Sequence, residues 1–216
     1  MLLINKPPGP TSHDIVDEVR KITGIKKVGH AGTLDPFAEG LLIVLVGREE
    51  TKKQAEFMAL NKVYEAMLTL GAETDTFDIT GKIQETRYKI QTNSKLQIPN
   101  IEDIKETLKN FEGEQDQMPP IYSAKKIKGK KAYELARKGE VPELKPKRVK
   151  IYEIKILNYN YPELKIKTKV SSGTYIRALA RDIGRELGVG AYVSELRRTE
   201  IGKYKLEDAQ TIEGLK

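Results

Sequence analysis

The sequence predicts an α+β fold, and three observations predict it. Helical and strand periodicities both occur along the 216 residues. They do not alternate strictly, as a doubly wound parallel sheet would require. The later strand patterns place lysines between apolar residues, as in a sheet with one packed face and one wet, basic face.

Each element has a local reason. Thr11 or Ser12 can cap a helix over 11–24, in which Ile15, Val16, Val19 and Ile22 share a face and Gly24 provides the stop. A loop from Gly29 to Gly40 precedes the branched apolar run Leu41–Val46, which reads as a buried strand. Tyr64, Ala66, Leu68 and Leu70 alternate with their neighbours and predict a strand with Tyr64 on its apolar face. Asn100 can cap a helix whose Ile101, Ile104, Leu108 and Phe111 fall at helical spacing. From Gly113 to about Pro142 the character changes to a Pro-Pro turn and clustered lysines, predicting an inserted, exposed and mobile segment. Strands resume at Val149–Leu157 and Leu164–Val170. Ser172-Gly173-Thr174 then opens a helix with Ile176, Leu179, Ala180, Ile183 and Leu187 on one stripe and Gly188 as its stop. The expected organisation is one domain over 1–205, with the insert at about 113–142, and a short polar tail over 206–216.

Composition limits the chemistry. A formal net charge of +7 suits a polyanionic partner, nucleic acid among them. The absence of cysteine excludes disulfides, thiolate metal sites and cysteine nucleophiles. With His13 and His30 as the two histidines, a histidine-rich metal site is not expected. The N-terminal apolar run is too short for a signal peptide, and no stretch approaches the roughly 18 apolar residues of a membrane span. The expectation is a reduced, cytoplasmic protein with no cofactor, no metal and no membrane contact.

The most informative segment is Gly29-His30-Ala31-Gly32-Thr33-Leu34-Asp35-Pro36. Its glycines permit unusual backbone angles, and Pro36 disfavours the helical region for Asp35, holding that carboxylate extended just before a buried strand. Spacing alone leaves open an ordinary turn in which Asp35 bonds a nearby backbone N–H, and an ordinary loop histidine at His30.

The loop resembles the catalytic motif of the TruB pseudouridine synthases, and the resemblance extends along nearly the whole chain in the family's order. Asn5-Lys6-Pro7-Pro8-Gly9-Pro10-Thr11-Ser12 is similar to its N-terminal motif and Lys62-Val63-Tyr64 to its tyrosine-bearing strand. Thr74-Asp75-Thr76, with Asp78 and Gly81, is similar to its acidic turn. Gln117-Met118-Pro119-Pro120, with Tyr122-Ser123-Ala124 and Lys126, resembles its insert. Ser172-Gly173-Thr174-Tyr175-Ile176-Arg177 resembles its arginine motif, and Leu196-Arg197-Arg198-Thr199, followed by Gly202, closes the series.

The resemblance implies the pseudouridine synthase fold, a mixed, mostly antiparallel central sheet flanked by helices and loops with a thumb-like insert. It implies isomerisation of the uridine at position 55 in the T loop of tRNA, by base flipping and covalent attack of an aspartate. Asp35 would be the nucleophile, Arg177 the cation that keeps it ionised against desolvation, and Tyr64 the ring stacked on the base, able to move a proton late. Substrate contacts would come from His30, Gly32, Thr33, Leu34, Tyr175, Leu196, Lys6, Tyr122 and Lys126. From pattern alone Arg177 reads as a solvated helix residue, Tyr64 and Leu196 as core, and the insert as a solvated basic loop. The implied partner is the tRNA T stem-loop, bound by a monomer needing no protein partner.

Two departures accompany the resemblance. Family members usually continue into a small C-terminal RNA-binding domain, where only about ten residues follow Leu206 here, and Val170-Ser171-Ser172 lacks a cysteine often found before the arginine motif. A guide-RNA-type synthase shares the Gly29–Pro36 loop but carries extra domains. A non-catalytic tRNA-folding chaperone would not need Asp35, Tyr64 and Arg177 together. DNA binding has neither a recognition helix nor a zinc site to support it.

Overall fold

The computed structural model of the protein describes residues 1–84, 98–123, 126–127, 129–131, 135 and 144–215, with backbone only at 126–127 and 130–131. The strands are β1 (Leu2–Lys6), β2 (Val28–His30), β3 (Glu39–Val46), β4 (Lys62–Leu70), β5 (Glu73–Thr74), β6 (Ile83–Gln84), β7 (Gly113–Gln117), β8 (Lys126–Ile127), β9 (Lys130–Lys131), β10 (Lys147–Asn160), β11 (Glu163–Val170), β12 (Ala191–Ile201) and β13 (Tyr204–Lys205). The α-helices are α1 (Ser12–Thr23), α2 (Arg48–Lys52), α3 (Gln54–Ala59), α4 (Ile101–Asn110) and α5 (Ile176–Glu186). The chain divides into two compact units, Met1–Ala66 with Lys167–Ser172 and Glu195–Lys216, and Met67–Ile166 with Gly173–Ser194.

In the first unit the strands run in the order β1-β3-β12-β4-β11, with β2 also on β3 and β13 on β12. β1 and β2 pair antiparallel with β3, whereas β12 runs parallel to it, setting Arg198 opposite Gly40. From Leu41 to Val46 β3 is apolar without interruption because both its faces are covered. Leu42 and Val44 join Ile4 and the Ile15, Val16 and Val19 stripe of α1, while Leu41, Ile43 and Leu45 pack with Ala31 and Ile201.

α1 keeps its predicted bounds for the predicted reasons. The Thr11 side chain accepts from the Asp14 N–H, Asp14 returns a bond to the Thr11 N–H, and Gly24 closes the helix in the left-handed region at φ 68°. The C-terminal stretch, read from the sequence as a polar tail, is docked on β1. The Asn5 N–H donates to the Gln210 carbonyl at 2.9 Å, the Gln210 N–H donates to the Leu3 carbonyl at 3.1 Å, and Ile212 is buried in the α1 core.

In the second unit the order is β12-β4-β11-β10-β7, and β5 pairs with β6 apart from that sheet. α4 is capped by Asn100, which accepts from the Glu102 and Asp103 N–H groups, and buries Ile104, Thr107 and Leu108. Ile101, expected on the same face, is exposed instead, because the first turn carries it beyond the packed stripe.

Two expectations need correcting. Gly113–Gln117, assigned to the insert, is a strand paired antiparallel with β10 from Lys147 to Ile151. Its sequence shows no apolar alternation, and it is the last strand of the order among the described residues, a place where charged side chains are common. α5 begins at Ile176 with Tyr175 as an N-cap lacking any side-chain cap bond, so neither Ser172 nor Thr174 caps it. Of the rest of the insert, 124–125, 128, 132–134 and 136–143 lie outside the described residues. Among the described residues no helix is long and apolar enough to cross a membrane.

Candidate active site

In the first unit the loop between β2 and β3 is held at successive points, and Asp35 sits among them. The Ser12 hydroxyl, fixed at the start of α1, accepts from the Leu34 N–H at 2.9 Å and donates to the Leu34 carbonyl at 3.1 Å. One residue beyond Asp35, the Pro36 carbonyl accepts from the Gly9 N–H at 2.8 Å and from the Lys6 ammonium at 3.4 Å. The Asp35 carbonyl closes a turn by accepting from the Ala38 N–H at 3.1 Å. Gly32, at φ 98°, supplies a left-handed residue in the bend that follows β2. Asp35 is thus half-buried and held through its neighbours on both sides.

Lys6 is fully buried, and its ammonium donates to the carbonyls of Pro7 at 2.7 Å and Pro10 at 2.8 Å as well as to Pro36. Burial drives its pKa from 10.5 down to about 8, with the Asp35 carboxylate pulling it back up and the Arg198 guanidinium pressing it down. The Pro-Pro-Gly-Pro sequence thus forms a carbonyl cage for an ammonium beside Asp35. The Lys6 ammonium is thereby tied to the carbonyl next to Asp35.

His30 ends β2, and its carbonyl accepts from the Gln54 amide at 2.7 Å. Its Nδ1 is buried with no hydrogen-bond partner among the described residues. Burial first, and then the positive charge of Arg198, lower its pKa from 6.5 to about 4. His30 is therefore a neutral imidazole at neutral pH, suited to stacking or pairing and unable to donate a charged proton there. Tyr64 is buried on β4 with the Arg198 guanidinium carbon 6.0 Å from its ring centroid. Leu196 is buried on β12, two residues before Arg198.

The second unit gathers Tyr122, Tyr175 and Arg177. Arg177, on the first turn of α5, is buried and donates to a carboxylate oxygen of Asp78 at 3.0 Å, to the Thr76 carbonyl at 2.9 Å and to the Tyr122 carbonyl at 2.9 Å. It is thus not a solvated helix residue. Asp78 is itself held by the Thr76 and Thr80 hydroxyls and the Thr80 N–H. Gln117, at the end of β7, brackets Tyr175 by accepting from its N–H at 2.8 Å and donating to its carbonyl at 3.1 Å. Lys126 lies on β8, but its side chain falls outside the described residues. Among the described residues no group of three histidines or carboxylates could hold a metal ion.

Three side chains have no site role in the sequence reading, where Ser12 is only a candidate helix cap. Ser12 and Asp78 lay inside quoted motifs without a function, and Arg198 was one of a basic pair. Arg198 is 1% exposed and binds three backbone carbonyls. The available signal was its phase, two residues after the apolar Leu196, at a strand position that faces inward.

Comparison with known proteins places these residues in a family. The model of the TruB family pseudouridylate synthase N-terminal domain matches residues 20–176, and that of the tRNA pseudouridylate synthase B C-terminal domain matches 177–216. A tRNA pseudouridine synthase B of Caldanaerobacter subterraneus is 48% identical, covering 100% of this chain and 73% of that protein. One from Aquifex aeolicus is 44% identical, covering 98% and 71%. Among solved structures, a Cbf5–Nop10–Gar1 complex matches with a TM-score of 0.71 and 32% identity, covering 98% of this chain and 52% of that one. The archaeal box H/ACA Nop10–Cbf5 complex matches at 0.70 and 29%, covering 99% and 51%. The chain thus spans about half the length of those two structural relatives.

Proposed function

The chain belongs to the TruB family of pseudouridylate synthases, and on that premise we propose that it converts the uridine at position 55, in the T loop of tRNA, to pseudouridine with Asp35 as nucleophile. The observation that most supports the assignment of Asp35 is the bracing of its loop: Leu34 is bound by Ser12 and Pro36 by Gly9 and Lys6, so the carboxylate between them has little freedom to retreat.

The reaction is an isomerisation, so atoms and electrons balance without a cofactor. The Asp35 carboxylate adds to the uridine, the glycosidic C–N bond breaks, and the base turns and rejoins the ribose through C5. The C5 hydrogen leaves as a proton, the freed nitrogen gains one, and the carboxylate is released unchanged. Tyr64 offers a buried ring to the flipped base and a hydroxyl for the late proton, with Leu196 as a second apolar wall. His30, neutral at working pH, is assigned to the space vacated in the T loop. Arg177 keeps its assignment as the cation of the reaction on the strength of its motif, with Tyr122, Tyr175, Lys126 and the Gly32-Thr33-Leu34 backbone as substrate contacts. The partner is the tRNA T stem-loop, and a monomer working in the cytoplasm is the simplest state for this chemistry.

The guide-RNA reading draws on the two structural relatives, but the tRNA-named relatives share more sequence and a larger part of their own length. The deciding experiment is to incubate purified protein with an unmodified whole tRNA transcript, without any other RNA, and map pseudouridine at every uridine by chemical labelling. One modified site, at position 55, is expected. Modification elsewhere, or dependence on an added guide RNA, overturns the assignment.

A further inference from the structure

We propose that Arg198 is a positioning residue for the reaction, one guanidinium that locks the Asp35 loop to the sheet and at the same time backs the ring of Tyr64. The inference rests on the synthase reading above and goes beyond the residues to which that reading gives a part.

The geometry carries it. The Arg198 Nε donates to the Leu41 carbonyl at 2.8 Å, Nη2 to the Gly32 carbonyl at 3.0 Å and Nη1 to the Thr33 carbonyl at 3.4 Å. Gly32 and Thr33 lie three and two residues before the nucleophile, whereas Leu41 belongs to the rigid buried strand β3. One planar fork therefore joins the loop to the sheet at a fixed spacing, and its carbon lies 6.0 Å from the Tyr64 ring centroid.

Its backbone is equally fixed. Arg198 pairs with Gly40 across the parallel β12–β3 ladder, so closely that a Cβ on Gly40 would meet the Arg198 carbonyl oxygen at 2.4 Å. A buried arginine ordinarily has a carboxylate partner, because an unpaired charge is costly to desolvate. Among the described residues none forms an ion pair with Arg198, and its three bonds all end on backbone carbonyls. The charge also reaches the site, since it presses on both Lys6 and His30. An apolar residue here would leave the Leu41, Gly32 and Thr33 carbonyls without this donor. A planar cation with three aligned donors serves a loop whose carbonyls must point in one direction.

Two variants separate fork from charge. Arg198→Lys keeps the charge but replaces the planar fork with one ammonium, and Arg198→Met keeps roughly the length and removes both. Each is compared with wild type and Asp35→Asn for urea unfolding, for equilibrium binding of an unmodified T-arm hairpin, and for the single-turnover rate of pseudouridine formation. The expected result for Arg198→Lys is a folded protein that binds the hairpin within about 3-fold of wild type and turns over about 100-fold more slowly, the scale of an ångström-sized misplacement. Amide exchange at Gly32–Leu34 should quicken while Ile43 stays protected.

A folded Arg198→Lys with a wild-type single-turnover rate overturns the proposal, as does a rate loss matched by an equal loss of binding. If neither variant folds, nuclear magnetic resonance of wild type decides. A protected Arg198 Nε–H with a coupling across the hydrogen bond to the Leu41 carbonyl supports the lock, and a freely exchanging guanidinium overturns it. A wild type that makes no pseudouridine refutes the functional reading instead, so the two failures are distinguishable.

Discussion

Replacing Ser12 with alanine removes one oxygen and exposes how the nucleophile loop is anchored. Ser12 and Leu34 are both buried, and the single hydroxyl serves the Leu34 N–H at 2.9 Å and its carbonyl at 3.1 Å. Each buried group left without a partner costs about 1–3 kcal/mol. Alanine at a helix start returns at most about 0.5 kcal/mol of propensity. The net loss should therefore be about 1.5–5.5 kcal/mol, a large part of the roughly 5–15 kcal/mol typical of a domain. Urea titration followed by circular dichroism should show a lower midpoint with an unchanged slope. Because Leu34 adjoins Asp35, the single-turnover rate on a T-arm hairpin should fall by about 10–100-fold, while hairpin affinity stays close to wild type. A stability loss below about 0.5 kcal/mol would refute the anchoring argument. A destabilised variant that retains the wild-type rate would refute its link to the nucleophile.

Gly40→Ala places a Cβ 2.4 Å from the Arg198 carbonyl at φ 106°, so a cost of about 3 kcal/mol or more is expected. A melting temperature within about 2 °C of wild type would contradict that contact. His30 has its folded pKa lowered to about 4 from 6.5, so the unfolded chain takes up the proton first. Its contribution is fully present above pH 6.5 and is lost as the pH falls towards 4, with an upper bound of about 3 kcal/mol that partial exposure reduces. Wild type should therefore lose more stability than His30→Gln between pH 7 and pH 4.5, and equal losses would show that His30 protonates freely in the fold.

The sequence was most legible where apolar periodicity and caps agree. α1 shows this, with Thr11 and Gly24 at its ends, as do β3, β4 and β11, whose inward positions Leu164, Ile166, Thr168 and Val170 alternate cleanly. It was least legible where burial is achieved without apolar residues. Lys6 is buried because three proline carbonyls cage it, and Arg198 because three carbonyls accept from it, while a residue-by-residue reading counts both as solvated charges. β12 escaped notice because its buried positions run 191, 193, then 196, 198 and 201, so the two-residue period slips twice. β7 has almost no apolar side chain to betray it. Of the site, the Asp35 loop was legible through its glycines and proline, and the motif order supplied Tyr64 and Arg177. What holds the loop was not, because Ser12, Lys6 and Arg198 act through backbone atoms that no residue pattern records.

Whether Asp35 is the nucleophile is decided by single-turnover pseudouridine formation by Asp35→Asn on an unmodified T-arm hairpin, measured beside its affinity for the same RNA. Asparagine keeps the shape and polarity that the half-buried loop position accommodates but cannot attack as a carboxylate. Hairpin binding within a few-fold of wild type and no pseudouridine above background are expected. Pseudouridine accumulating in the purified variant, even slowly and at the same uridine, would contradict that role for Asp35.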